Sequence, residues 1–172
     1  MKRAALVCLL LSCVPALAQA PLRPSPPELA QSGDATLLQS CDGLFNLQKT
    51  YALARHWIDA WNSNSTDRVM ALYAPDFEFR AVGILNNANI SNPSGILHGQ
   101  ADNRLRWFGA AKEKGSQQFR LVDAYAGVAS IAIHYVNRAN VLVVEVEEYA
   151  PDCKVVRSNA LYGIGPPASP QE

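Results

Sequence analysis

Between residues 46 and 61, apolar side chains recur at spacings of three and four, which is the period of a helix with one buried face. Asn46 can cap the start of this helix, and Asn62-Ser63-Asn64 ends it. We expect the repeating face to be buried. Its members are Tyr51, Ala54, Trp57, Ile58 and Trp61.

A second, shorter helix is predicted directly after the first. Ser65 or Thr66 can cap it, and Pro75 ends it because the residue before a proline avoids helical geometry. The chain then continues as a strand over 77–82.

A long polar loop separates this strand from a third helix. Residues 83–97 are rich in asparagine, and such a loop either covers a binding site or connects two elements without a role of its own. The helix is predicted over 99–114, where Gly99-Gln100 begins it and Gly115 ends it.

The remaining chain is nearly all strand-like. Short turns separate four runs, so consecutive runs are expected to pair as an antiparallel meander. The runs cover residues 118–126, 129–136, 141–150 and 154–162.

Turn chemistry gives an expected register for the meander. If Ala150-Pro151-Asp152-Cys153 closes the last hairpin, Glu145 lies opposite Asn159. A two-residue turn at Arg138-Ala139 brings His134 opposite Val143, so His134, Glu145 and Asn159 are expected to share one polar face. The other face is expected to receive the helices, and it consists of Ile131, Ile133, Tyr135, Leu142, Val144, Val146, Val156, Ala160 and Tyr162.

The first twenty residues have the pattern of a secretory signal peptide. Lys2-Arg3 precedes an apolar run over 4–14, and Ala18-Gln19-Ala20 supplies small residues for cleavage. The run is shorter than the roughly 20 residues that cross a bilayer, so no membrane span is expected. We expect residues 1–20 to be removed and the protein to be secreted or periplasmic.

The rest of the chain divides into three parts. Residues 21–45 form a proline-rich N-terminal segment, residues 46–163 a folded domain, and residues 164–172 a C-terminal tail. A minor alternative to secretion is a lipoprotein anchored at Cys13, because Leu10-Leu11-Ser12-Cys13 resembles a lipoprotein box.

Charge and cysteine content narrow the function classes. The chain has 15 basic and 15 acidic residues in total, and the basic ones are scattered singly, which argues against a nucleic-acid partner. After removal of the signal peptide, Cys41 and Cys153 remain and are predicted to form a disulfide in an oxidising compartment. The alternative is two separate buried thiols.

The order of these elements resembles the SnoaL-like branch of the nuclear transport factor 2-like superfamily. The similar pieces, within about 46–163, are HWIDAWNSNSTDRVMALYAPDFEFR, GILHGQADNRLRWF and VVEVEEYAPDCKVVRSNALYG. The resemblance implies an α+β cone, in which three helices pack on a curved antiparallel sheet around a conical cavity. Members include isomerases, dehydratases, cyclases, epoxide hydrolases and proteins without chemistry, so the fold alone selects no reaction.

Two family mechanisms do not match this sequence. In the ketosteroid isomerase branch an aspartate base follows the first strand, where this chain has Arg80-Ala81-Val82-Gly83. The epoxide hydrolase branch uses an Arg-x-Asp pair, which does not occur in this chain.

Acid-base chemistry in a dry cavity requires a carboxyl group or an imidazole, so the titratable candidates are the histidines, Glu145 and Glu147. The catalytic candidates are His98, His134, Glu145 and Asn159; for each, a structural or surface role is the alternative. The residues expected to line the pocket are Trp57, Trp61, Arg80, His98, Trp107, Tyr135 and Tyr162.

The sequence therefore predicts a secreted cone that binds a small, partly hydrophobic molecule and isomerises, dehydrates or cyclises it. No cofactor and no metal are expected, because the three histidines are far apart in the sequence. The alternative is a noncatalytic module for ligand carriage or protein association. A homodimer through the outer face of the sheet is expected in that case.

Overall fold

The computed structural model describes residues 35–85, 92–104 and 118–163. A 3-10 helix spans Ala35–Leu38, and the α-helices are α1 (Leu47–Asn62), α2 (Thr66–Met70), α3 (Val82–Leu85) and α4 (Gly99–Asp102). The strands are β1 (Tyr73–Ala81), β2 (Ile96–His98), β3 (Arg120–Ala126), β4 (Ser130–Val136), β5 (Leu142–Tyr149) and β6 (Val155–Tyr162).

Helix α1 forms as its apolar period predicts. The Asn46 side chain accepts a hydrogen bond from the backbone N–H of Lys49 at 2.8 Å, and all five residues of the repeating face are buried. Ser65 caps α2 in the same way. At its end, α1 is tied to the sheet because the Asn62 amide both donates to and accepts from the Phe119 backbone, at 2.9 and 2.8 Å.

The six strands form one curved, open sheet in the order β2-β1-β6-β5-β4-β3. The predicted meander is confirmed, since β3, β4, β5 and β6 pair as antiparallel neighbours. The sheet as a whole is mixed, because β1 pairs with β6 in parallel. Helix α1 covers one face of the sheet, which we call the inner face, and the opposite face is the outer face.

The β4–β5 connection corrects the predicted register. The backbone N–H of Asn137 donates to the Val141 carbonyl at 2.9 Å, and Asn140 adopts a left-handed conformation with φ 58°. The loop therefore has three residues instead of two. As a result His134 lies opposite Val144, so the predicted partner Val143 was wrong by one residue.

The β5–β6 hairpin closes as predicted, since the Ala150 N–H donates to the Lys154 carbonyl at 2.8 Å. A β-bulge at Val156 then shifts the pairing by one residue. Glu145 lies opposite Ala160, so the predicted partner Asn159 was wrong.

These two shifts exchange the faces of β5. Glu145 and Glu147 lie on the inner face with Ile131, Ile133 and Tyr135, whereas His134 and Asn159 lie on the outer face. The predicted polar patch of His134, Glu145 and Asn159 is therefore divided between the two faces. The apolar residues of β5 and β6 that were expected inside but lie on the outer side are Leu142, Val144, Val146 and Val156.

The predicted disulfide between Cys41 and Cys153 is present, with the two Cα atoms 4.9 Å apart. The Cys41 N–H also donates to the Pro151 carbonyl at 2.9 Å, so the N-terminal segment is joined to the hairpin tip twice. Cys153 has φ 60°, a conformation that favours glycine. The covalent link gives a reason for cysteine at this strained position.

Several predicted segments lie outside the described residues. They include the signal peptide over 1–20, most of the proline-rich segment, the tail over 164–172, and the third helix beyond its described turn at Gly99–Asp102. Within the described ranges, no helix has both the length and the apolar character needed to cross a membrane.

Candidate active site

Two glutamates lie side by side on the inner face of the sheet. Glu145 and Glu147 are two residues apart on β5, so their side chains point to the same face. Their exposed fractions are 2% and 0%. A carboxyl group is costly to bury in its charged form, and this pair therefore requires hydrogen bonds, protonation or both.

Glu145 has two hydroxyl donors. Tyr135 donates to Glu145 Oε2 at 2.8 Å, and Ser158 donates to Glu145 Oε1 at 2.6 Å. Burial raises the pKa of Glu145, and these two hydrogen bonds oppose the increase because they stabilise the carboxylate. Of the two carboxyl groups, Glu145 therefore has the more complete set of hydrogen bonds.

Glu147 has a poorer set of contacts. Its Oε1 lies 3.3 Å from the Ser158 hydroxyl oxygen, and its Oε2 is buried without a hydrogen-bond partner among the described residues. Burial raises the pKa of Glu147 well above the ordinary value of 4.5, and the nearby charge of Glu145 raises it further. Glu147 therefore favours the neutral, protonated form.

Tyrosine hydroxyls surround the carboxyl pair. The indole N–H of Trp57 donates to the Tyr73 hydroxyl at 3.0 Å inside the core. Burial and then the charges of Glu147 and Glu145 raise the pKa of Tyr73 well above 10. Tyr73 therefore stays neutral and keeps a proton for hydrogen bonding. Burial likewise raises the pKa of Tyr135, Tyr149 and Tyr162.

Aromatic rings from α1 and the sheet pack above this polar cluster. The Trp57 ring centroid lies 5.5 Å from that of Trp61 and 5.0 Å from that of Tyr135, and Phe119 closes the group. The Arg138 guanidinium carbon lies 5.3 Å from the Phe119 ring centroid. These rings give the inner face of the sheet an apolar surface beside the carboxyl pair.

A cleft of about 120 Å³ lies on the other side of Trp57, between α1 and the tip of the β5–β6 hairpin. Its lining residues are Leu38, Leu53, His56, Trp57, Ala71, Leu72, Tyr149, Asp152, Cys153, Lys154 and Val155. His56 is exposed to solvent on one side, and its partial burial, followed by the charge of Arg68, lowers its pKa. The cleft and the carboxyl cluster share Trp57 as a wall.

The structure places Arg80 and His98 at the outer face, away from the carboxyl pair. Arg80 makes an ion pair with Glu78 at 2.6 Å, and His98 Nδ1 lies 3.9 Å from the other Glu78 oxygen. The His98 side chain is 69% exposed. Arg157 joins the same network through Glu78 and Glu148. These contacts are those of a surface charge network.

The other predicted residues are placed as follows. Trp57, Tyr135 and Tyr162 lie near the carboxyl pair, and Trp61 packs against Trp57. Trp107 lies outside the described residues.

The cluster members that the sequence did not single out are Ser158, Tyr73 and Tyr149. Ser158 lies opposite Glu147, a position that depends on the bulge at Val156. An alternation was visible in VVEVEEY, but each face carries both valine and glutamate, so it did not reveal which face was buried. The burial of Ile131 and Ile133 on the paired strand decides the matter.

The chemistry available to this site is that of carboxyl and hydroxyl groups. Among residues 35–85, 92–104 and 118–163, no group of three His, Cys, Asp or Glu side chains is arranged to hold a metal ion. One protonated carboxyl group and one hydrogen-bonded carboxylate in the same dry site can act as an acid and a base.

Comparison with known proteins identifies the family. A SnoaL-like protein of unknown function from Burkholderia thailandensis is 35% identical; the match covers 64% of this chain and 90% of that one, with a TM-score of 0.59. No family model matches the chain, and no curated protein matches it either. The chain belongs to the SnoaL-like branch of the nuclear transport factor 2-like superfamily.

More distant structures share the fold alone. A nuclear transport factor 2-like protein of unknown function from Burkholderia xenovorans is 14% identical over 69% of this chain and 85% of that one, with a TM-score of 0.51. An epoxide hydrolase/cyclase-like enzyme of pyran ring formation in the polyether salinomycin is 14% identical over 68% and 92%, with a TM-score of 0.52. The predicted α+β cone is confirmed.

Proposed function

We propose that this protein is an exported enzyme that isomerises, dehydrates or cyclises a small, partly hydrophobic molecule by acid-base catalysis without a cofactor. The observation that carries the proposal is the pair Glu145 and Glu147, fully buried beneath α1 with unequal hydrogen bonding. Two carboxyl groups whose surroundings separate their pKa values are a recurrent arrangement for paired acid and base roles.

The contacts assign a role to each group. Glu147 holds a proton and acts as the general acid, whereas Glu145 is stabilised as a carboxylate by Tyr135 and Ser158 and acts as the general base. The neutral Tyr73 hydroxyl is a donor for an oxygen atom that gains charge in the reaction. A positioned acid or base contributes about 10²- to 10⁴-fold to a rate.

The walls of the site indicate the kind of substrate. Trp57, Trp61 and Phe119 present ring faces, the carboxyl and hydroxyl groups lie beside Trp57, and the Arg138 guanidinium packs on Phe119. This composition suits an uncharged molecule with an apolar body and one or two oxygen atoms. A cyclase is one candidate activity because the fold also occurs in an epoxide hydrolase/cyclase-like enzyme.

Export is part of the proposal. The pattern of residues 1–20 and the disulfide between Cys41 and Cys153 both suit an oxidising compartment such as a periplasm. Removal of the leader and absence of a lipid at Cys13 are checked together by the intact mass of the exported protein.

The enzyme proposal is tested with protein purified from the periplasm. Native mass spectrometry detects a retained small molecule, which is then extracted, identified and incubated with fresh protein in D2O. The proposal expects a bound molecule that gains deuterium or changes structure. A bound molecule that stays unchanged with folded protein argues for the second function.

That second function is noncatalytic ligand carriage or protein association. It is favoured by the tight packing of Trp57, Trp61, Phe119 and Tyr135 in the described interior. It is also favoured by large apolar side chains on the outer face, among them Leu161, which is 51% exposed. A homodimer through this outer face is compatible with both functions.

A further inference from the structure

Ser158 is in contact with both glutamates. Its hydroxyl oxygen lies 2.6 Å from Glu145 Oε1 and 3.3 Å from Glu147 Oε1, and all three side chains are buried. A serine hydroxyl has one hydrogen to donate and two lone pairs to accept with. Ser158 can therefore donate to only one of the two carboxyl groups, and the shorter distance identifies Glu145 as the acceptor.

The contact between Ser158 and Glu147 then requires a hydrogen supplied by Glu147. With the Ser158 hydrogen directed at Glu145, an ionised Glu147 would turn lone pairs toward the lone pairs of the serine oxygen. A protonated Glu147 instead donates its own hydrogen to that oxygen. The unpartnered Oε2 of Glu147 agrees with a group that carries no full negative charge.

We propose that Glu147, Ser158 and Glu145 form a hydrogen-bonded chain that holds one proton between the two carboxyl groups, and that Ser158 is a positioning residue that passes this proton between them. This inference rests on the proposed function for its role in turnover. The arrangement of the proton in the resting protein does not depend on any substrate.

The chain completes a catalytic cycle with its protons balanced. Glu145 takes a proton from the substrate, and Glu147 gives its proton to another atom of the same molecule. Glu145 then carries a hydrogen and Glu147 none. Glu145 donates its hydrogen to the Ser158 oxygen while Ser158 gives its own hydrogen to Glu147, which restores the starting state. The cycle requires no net proton from solvent, which suits an isomerisation.

Neighbouring groups support this distribution of charge. Burial raises the pKa of both glutamates. Hydrogen bonds from Ser158 and Tyr135 oppose the increase at Glu145. Contacts with Ser158 and Trp57 oppose it at Glu147, but burial and the charge of Glu145 raise the pKa of Glu147 well above its ordinary value despite them. The titratable side chains around the chain are tyrosines, which burial keeps neutral. They are Tyr73 from β1, Tyr135 from β4, Tyr149 from β5 and Tyr162 from β6.

The test is a pH titration of the full protein labelled with ¹³C at the glutamate side-chain carboxyl carbons, followed by NMR. E145Q and E147Q assign the two resonances, and E148Q is the control on the outer face of the same strand. We expect Glu147 to remain protonated at neutral pH. Because the two groups interact, the titration of Glu145 should also shift the resonance of Glu147, and the reverse.

The serine variants separate proton transfer from packing. In S158A, the pKa of Glu145 should rise because its carboxylate loses a donor, and that of Glu147 should fall because its acid form loses an acceptor. S158T, which keeps a hydroxyl, should restore both values. Shifts in the same direction, or no shifts, would overturn the proposal. If S158A does not fold, a wild-type titration with both groups ionised at neutral pH overturns it equally.

This experiment uses no substrate. If S158A raises the pKa of Glu145 and lowers that of Glu147 but the protein turns over no substrate, the hydrogen-bonded chain is supported and the enzyme proposal fails. If the protein turns over substrate but S158A does not produce these shifts, the enzyme proposal is supported and the hydrogen-bonded chain is not.

Discussion

The hydroxyl group of Tyr135 donates a hydrogen bond to Glu145 across strands β4 and β5, and both side chains are buried. This contact fixes the carboxylate against the inner face of the sheet and supplies one of its two donors. It also connects the aromatic packing around Trp57 to the acid-base pair.

Removal of this hydroxyl is expected to be costly. Y135F leaves Glu145 Oε2 buried without its donor, so the free energy of unfolding should fall by about 1 to 3 kcal/mol. Urea denaturation near neutral pH measures the change. Y125F removes a hydroxyl from a tyrosine that is 43% exposed and should cost much less. Equal costs for the two variants would argue against a buried carboxylate that depends on Tyr135.

Stability should depend on pH through Glu147. Its pKa is raised in the folded protein, so above the ordinary value of 4.5 the folded state binds more protons than the unfolded state. The free energy of unfolding should therefore be highest at the acidic end of this window and fall as pH rises toward the folded pKa. Chemical denaturation at a series of pH values measures the slope.

Variants of Glu147 and of its neighbour Glu148 isolate the contribution of Glu147 to this pH dependence. In E147Q the free energy of unfolding should fall less steeply with pH, because glutamine does not titrate. Part of the fall should remain, because the pKa of Glu145 is also raised in the folded protein. E148Q changes an exposed side chain paired with Arg157 and should leave the slope near that of the wild type. An E147Q slope identical to the wild-type slope would mean that Glu147 is ionised in the fold.

The disulfide and the strained backbone at Cys153 contribute separately. Loss of the link in C41S/C153S should cost about 4 to 5 kcal/mol in the chain-entropy model, because the link joins residues 112 positions apart. C41S/C153G should recover about 1 kcal/mol of this loss, since glycine accepts the left-handed conformation without a penalty. If the serine and glycine variants unfold at the same denaturant concentration, the backbone at this position relaxes without the disulfide.

The outer face of the sheet is expected to form a homodimer. L161D places a charge among apolar side chains of this face, and it should convert the dimer to a monomer in sedimentation velocity experiments. L44D changes a residue that is 77% exposed but lies outside the named strands, and it should leave the dimer intact. A monomeric wild-type protein at micromolar concentration would contradict this expectation.

Features with a local cause could be predicted from the sequence. The first helix follows from its cap at Asn46 and the spacing of its apolar residues, and the antiparallel pairing follows from short turns. The disulfide was predicted by pairing the two cysteines that lie beyond the expected leader. Each of these depends on residues close in sequence or on a single counting argument.

The composition of the site could not be predicted, because two local irregularities decide it. The left-handed Asn140 lengthens one turn, and the bulge at Val156 shifts the next pairing. Both faces of β5 carry valine, so the apolar pattern did not distinguish the true register from one shifted by one residue. That shift brings Glu145 and Glu147 inside, whereas His134 on β4 stays on the outer face.

The most direct test of the central claim is the rate at which the protein exchanges or rearranges the hydrogens of its retained molecule in D2O, followed by NMR. The account predicts that E145Q and E147Q each lower this rate at least about 10²-fold, whereas E148Q leaves it unchanged. Equal rates in all three variants and the wild type would contradict a catalytic role for the buried pair.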